Sequence, residues 1–157
     1  MSLLRFFMFF SLIVWVGSLV FFAFVLAPTV FLILPTHTAG SVISISLTKL
    51  HWMGVVAGLV FLICSMTVGW KTSKQIRFFE ARHVLLYFML VITSISQFVV
   101  IPKMNALRKS VGDFDSVAIT NPARVQFDAL HAWSVRLESG VLLLGLAAAY
   151  LTARRMS

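Results

Sequence analysis

Four long apolar runs divide the chain, at about residues 6–34, 50–70, 83–101 and 132–151. Each supplies roughly the 20 residues that a ~30 Å hydrocarbon core requires at ~1.5 Å rise per residue. None alternates apolar and polar residues with the period of two of a barrel strand. Lipid offers no partner to a backbone N–H or C=O, so each segment must satisfy its own. The pattern therefore predicts an all-α fold: an integral membrane four-helix bundle, with residues 1–157 forming one transmembrane domain. The first run exceeds the roughly 7–15 residues of a signal-peptide core and has no small-x-small cleavage site, so it reads as a retained helix. Pro28 inside it predicts a kink, and "FFAFVLAPTVFLILPTHTAG" leaves the bilayer at Pro35.

Between the runs lie one short loop and one long one. Residues 71–82, "KTSKQIRFFEAR", are basic; residues 102–130 mix both signs of charge. Within the long loop, Pro102 suits the start of a helical turn, and "VGDFDS" reads as a turn. "TNPARVQFDALHAW" opens a helix with Asn121 as N-cap and Pro122 at its first position; it continues into the fourth span. Arg5, Lys71, Lys74, Arg77, Arg82, Arg154 and Arg155 fall on one side. Lys49, Lys103, Arg108, Lys109 and Arg124 fall on the other. That excess predicts cytoplasmic termini and an outer-facing long loop, as in a bacterial inner membrane.

Composition strengthens the membrane reading. Hydrophobic residues make up 60% of the chain and charged residues 11%, against about 45–50% and ~25% in soluble domains. The net charge of +8 sits beside apolar runs rather than among interleaved aromatics, which points to lipid headgroups and away from nucleic acid. One cysteine, Cys64, permits no intramolecular disulfide and no Cys-x-x-Cys motif.

Candidate chemistry gathers on two helices. Arg124, Asp128, His131, Ser134 and Glu138 recur at spacings of four, three, three and four, a single polar stripe. Glu138 lies about 10 Å further along than His131, inside the apolar zone, where a carboxylate marks a functional site by default. Gln97 on the third helix is a candidate partner for it. On the second helix His51, Gly54, Gly58 and Ser65 share a face, and Gly54 and Gly58 form a G-x-x-x-G step suited to close helix packing. Counted back from the ends of their apolar runs, His51 and His131 fall at one depth. Two imidazoles there suit copper, another transition metal or haem b, with His37 above them on the corner. The competing reading of both histidines is structural hydrogen bonding. No nucleotide loop, nucleophile elbow or paired-carboxylate motif is present.

These residues resemble a known family. Trp15, the proline-histidine-glycine corner of Pro35, His37 and Gly40, "LHWMG", "IPKMNALR" and "RVQFDALHAWS" are similar to the transmembrane protein 205-like family. The likeness covers nearly the whole chain; a more distant one is to copper-resistance-protein-D-like four-helix units. The resemblance implies a four-helix membrane topology. It also implies, through one member's link to cisplatin resistance, handling of soft metals or trafficking. A single cysteine departs from what a thiolate site would need. Two function classes follow: a membrane protein that binds or moves a metal ion or carries haem at His51 and His131, and a non-catalytic structural or partner-binding protein that assembles into homo- or hetero-oligomers.

Overall fold

A computed structural model describes residues 2–74, 78–112 and 116–154. It contains four helices long and apolar enough to cross a membrane: α1 Ser2–Ile33, α2 Thr36–Ser73, α3 Ala81–Val111 and α4 Pro122–Arg154. No strand occurs among the described residues. All four outrun their apolar stretches. The extra turns of α2, α3 and α4 lie at the end of the bundle that carries His37, which we call the corner end. Of the turn expected at "VGDFDS", residues 113–115 lie outside the described residues, as do Arg77 and Arg155 of the charge count.

The chain punctuates these helices as its local chemistry dictates. Leu34 and Pro35 are extended, with ψ of 148° and 144°, because a residue before proline is pushed out of the helical region. Thr36 resumes the helix at once, so α1 and α2 meet at a two-residue corner. Gly112, at φ 74°, terminates α3. Asn121 caps α4 as the sequence predicts: its Oδ1 accepts from Ala123 N–H at 2.9 Å.

Pro28 and Pro102 do not break their helices. Each is preceded by a π-helical turn, Phe22–Leu26 in α1 and Ser96–Val100 in α3. In both cases the residue just before the proline donates its N–H five residues back, Ala27 to Phe22 and Ile101 to Ser96. A proline ring collides with the carbonyl four residues earlier. Widening the turn moves that carbonyl aside and keeps the helix continuous. Pro102 therefore opens the α-helical stretch Ile101–Val111, as expected, and that stretch continues α3 without a break.

The helices pack in a ring, α1 on α2, α2 on α3, α3 on α4 and α4 on α1, with chain direction alternating. Met8, Leu12, Trp15 and Leu19 recur every three or four residues on α1 and are buried, the stripe that helical periodicity demands. They meet Phe61 of α2, Leu86 and Met89 of α3 and Val141 of α4. The G-x-x-x-G step of α2 receives a side chain: a Cβ at Gly58 would come within 2.7 Å of Trp15 Cζ3, and one at Gly54 would collide with the same indole. Gly145 does the like for α4, where a Cβ would lie 2.8 Å from Val16 Cγ2. Outward faces carry Phe6, Phe10, Phe24, Leu143 and other exposed apolar residues, as expected of a surface solvated by lipid.

Beyond its π-helical turn, α1 packs on α2 and not closely on α4. The first half of α1 closes the ring, and the second half, beyond the π-helical turn, leaves it open. A cavity occupies the gap.

Candidate functional site

His51 is 1% exposed and lies on the inward face of α2. Across the bundle on α4, Glu138 Oε1 is 2.6 Å from its Nε2. On α3, Gln97 Oε1 is 2.9 Å from its Nδ1. Ser96 Oγ donates to Glu138 Oε1 at 3.2 Å. Four side chains from three helices thus form one network. Ser96 and Gln97 belong to the π-helical turn that Pro102 imposes, so the proline's local chemistry helps aim them inward.

Nδ1 of His51 thus faces the Gln97 amide and Nε2 faces the Glu138 carboxyl, so both ring nitrogens have a polar partner, the condition under which ionisable groups are tolerated at membrane depth. Glu138 Oε2 is buried and meets no hydrogen-bond donor among the described residues.

The cavity has a volume of about 470 Å³, within the roughly 300–1,000 Å³ of small-ligand sites. Its walls are Leu19, Phe22 and Phe31 of α1, Leu47 of α2 and Leu142 of α4. Glu138 lies toward its deep end, and His37, Arg108, Arg124, Asp128 and His131 toward its corner end.

The polar stripe of α4 therefore faces the cavity: Arg124, Asp128, His131, Ser134 and Glu138 all line it. Its members differ in circumstance. Arg124 Nη1 donates to Val117 O at 2.8 Å. Asp128 is exposed and Ser134 buried. His131 is exposed and stacks on Phe127, with ring centroids 6.5 Å apart. His37 is exposed and its carbonyl accepts from Ser41 Oγ at 3.1 Å. Glu138 finds its partner in His51, and Gln97 bonds to the histidine and not to the carboxylate.

His51 lies level with Glu138, so His131 is two turns away along α4, about 10 Å. Counting back from the ends of the apolar runs assumes that both helices leave the bilayer in register; they are offset. Both ring nitrogens of His51 are engaged, and among the described residues no group of three or more His, Cys, Asp or Glu side chains is placed to hold a metal ion.

A second set of residues at the corner end was not expected to form a site. Arg108 lies half-buried over Gly40, its Nη2 3.1 Å from where a Cβ there would sit. The guanidinium stacks on Phe127 at 5.4 Å. Asn105 Oδ1 accepts from Arg108 Nη1 at 3.3 Å and from Ser44 Oγ at 2.9 Å. The only hint is that Asn105 and Arg108 are one turn apart; Ser44, Gly40 and Phe127 are remote in sequence.

Fold and site together define a multi-pass membrane protein with a polar network and a cavity between its helices. The chain belongs to the DUF4149 family, a domain of unknown function whose model matches residues 10–112. Neither a curated protein nor a solved structure matches it.

Proposed function

We propose that the protein binds a lipophilic ligand drawn from the bilayer into the cavity between the second half of α1 and helices α2, α3 and α4. One observation carries the reading: an apolar cavity at membrane depth that ends on a carboxyl group held by hydrogen bonds from His51 and Ser96. A bundle built for packing alone would gain by closing this gap, since unfilled apolar volume costs contact energy. The His51–Glu138–Gln97 network holds α2, α3 and α4 in place around the gap that α1 leaves.

The test is photo-crosslinking with a long-chain alcohol carrying a diazirine. Saturable labelling of peptides containing Phe31 or Leu142, competed by unlabelled alcohol and lost in Leu142→Trp, is the expected result. Labelling spread evenly over lipid-facing residues such as Phe6 and Phe10, with no saturation, would overturn the reading.

A second reading, a soft transition-metal ion, is favoured by His37, His131 and Met104 lining the same cavity. The transmembrane protein 205-like resemblance supports it in general terms. An ion on His51 would have to displace Glu138 or Gln97, so the corner end is the better place for one. Titration with copper(I), comparing the wild type with His131→Ala, tests it; equal uptake by both proteins would sink it.

A further inference from the structure

The corner end of the cavity carries a cation held ready for an anion. Arg108 has five N–H donors in a planar fork; among the described residues one of them is engaged, through the 3.3 Å bond to Asn105, and no described carboxylate pairs with it. The guanidinium is nevertheless fixed. Gly40 lies beneath it, Phe127 stacks on it, and Asn105 is itself anchored by Ser44. A half-buried arginine with a set plane and spare donors suits a carboxylate or phosphate, which it can meet with two parallel bonds. Among the described residues that line this end, the other charged groups are Arg124 and the exposed Asp128, so two arginines face one carboxylate, beside the histidines His37 and His131. Below Arg108 the walls become apolar, over about 16 Å along the helix axis to the level of Gln97.

We infer that the cavity takes a single-chain amphiphile with an anionic head, in its simplest form a long-chain carboxylate. The head sits on Arg108 and the chain lies along Phe31, Phe22 and Leu142. This rests on the reading that the cavity binds a lipophilic ligand, and adds the class of ligand. Cavity size favours one chain over two, and charge complementarity favours an acid over an alcohol.

The experiment compares competitors against the same diazirine alcohol on purified protein in nanodiscs. A long-chain carboxylate and the alcohol of equal length compete for the label in wild type, Arg108→Lys and Arg108→Met. The carboxylate competes at about ten-fold lower concentration than the alcohol in wild type, the increment of one hydrogen-bonded charge contact. Arg108→Met brings the carboxylate down to the level of the alcohol, and saturable labelling by the alcohol, at whatever concentration it then requires, reports that the variant is folded. Arg108→Lys keeps part of it, because an ammonium retains charge and loses the fork.

Equal competition by acid and alcohol in wild type overturns the anionic head and leaves the cavity reading intact. A preference that survives Arg108→Met overturns the role of Arg108. Absence of saturable labelling by the alcohol in wild type overturns the cavity reading itself.

Discussion

Two histidines, His51 and His83, are almost equally buried, at 1% and 2% exposure, and their surroundings could hardly differ more. His83 Nε2 lies 2.7 Å from Ser65 Oγ, between α2 and α3. His51 meets a carboxyl group that lines a cavity, in the part that the second half of α1 leaves open. Burial alone therefore says little about a membrane histidine. A carboxyl partner that opens onto a ligand-sized space marks His51 as the candidate functional group.

The comparison breaks most sharply at Glu138. Glu138→Ala strips His51 of its carboxyl partner and leaves a buried ring nitrogen unmatched, so we expect a loss of about 3–5 kcal/mol, as for one partner removed from a buried pair. The midpoint of thermal unfolding in detergent measures it. The double variant His51→Leu with Glu138→Leu removes both partners and is expected to lose less than the sum of the single changes; additive losses would show that the two do not act as a pair.

A smaller effect, about 1–3 kcal/mol, is expected from overpacking in Gly58→Val. The added methyls meet the Trp15 indole, and the same thermal midpoint reports it. A variant as stable as wild type would mean that α1 can withdraw from α2 at no cost, contrary to the packing described. Ligand labelling at Leu142 should survive this change, because Trp15 lies outside the cavity lining.

The smallest effect belongs to Ser65→Ala. A neutral hydrogen bond between membrane helices contributes about 0.6 kcal/mol, so a slight fall in thermal midpoint and unchanged labelling are expected. Loss of labelling in this variant would erase the distinction between the two histidines.

Much of this architecture was legible in residue order. Apolar runs of membrane length, the Pro35 corner and the Asn121–Pro122 helix start all appear where local rules place them. The polar stripe on α4 also came through, since helical periodicity puts Arg124, Asp128, His131, Ser134 and Glu138 on one face whatever lies opposite. Glu138 stood out for the same reason: a carboxylate in an apolar run is costly enough to demand a partner.

Which partner it takes was a tertiary matter. Register between α2 and α4 is set by side-chain packing, with Trp15 over Gly54 and Gly58 and Gly145 against Val16, and that register brings His51 to Glu138. Counting residues from the ends of apolar runs could not reproduce an offset that depends on how far each helix extends past the bilayer. The π-helical turns were hidden too, because a proline within a helix can be met by a break, a kink or a widened turn, and the surrounding helices decide which. Gly40 and Ser44, Asn105 and Arg108, and Phe127 come from three helices, and no spacing links one helix to the next. Sequence by itself determined the helices and the faces they present, because those follow from local periodicity and solvation. Only the packed bundle decided which faces meet, and with that the cavity, its carboxyl end and its arginine end.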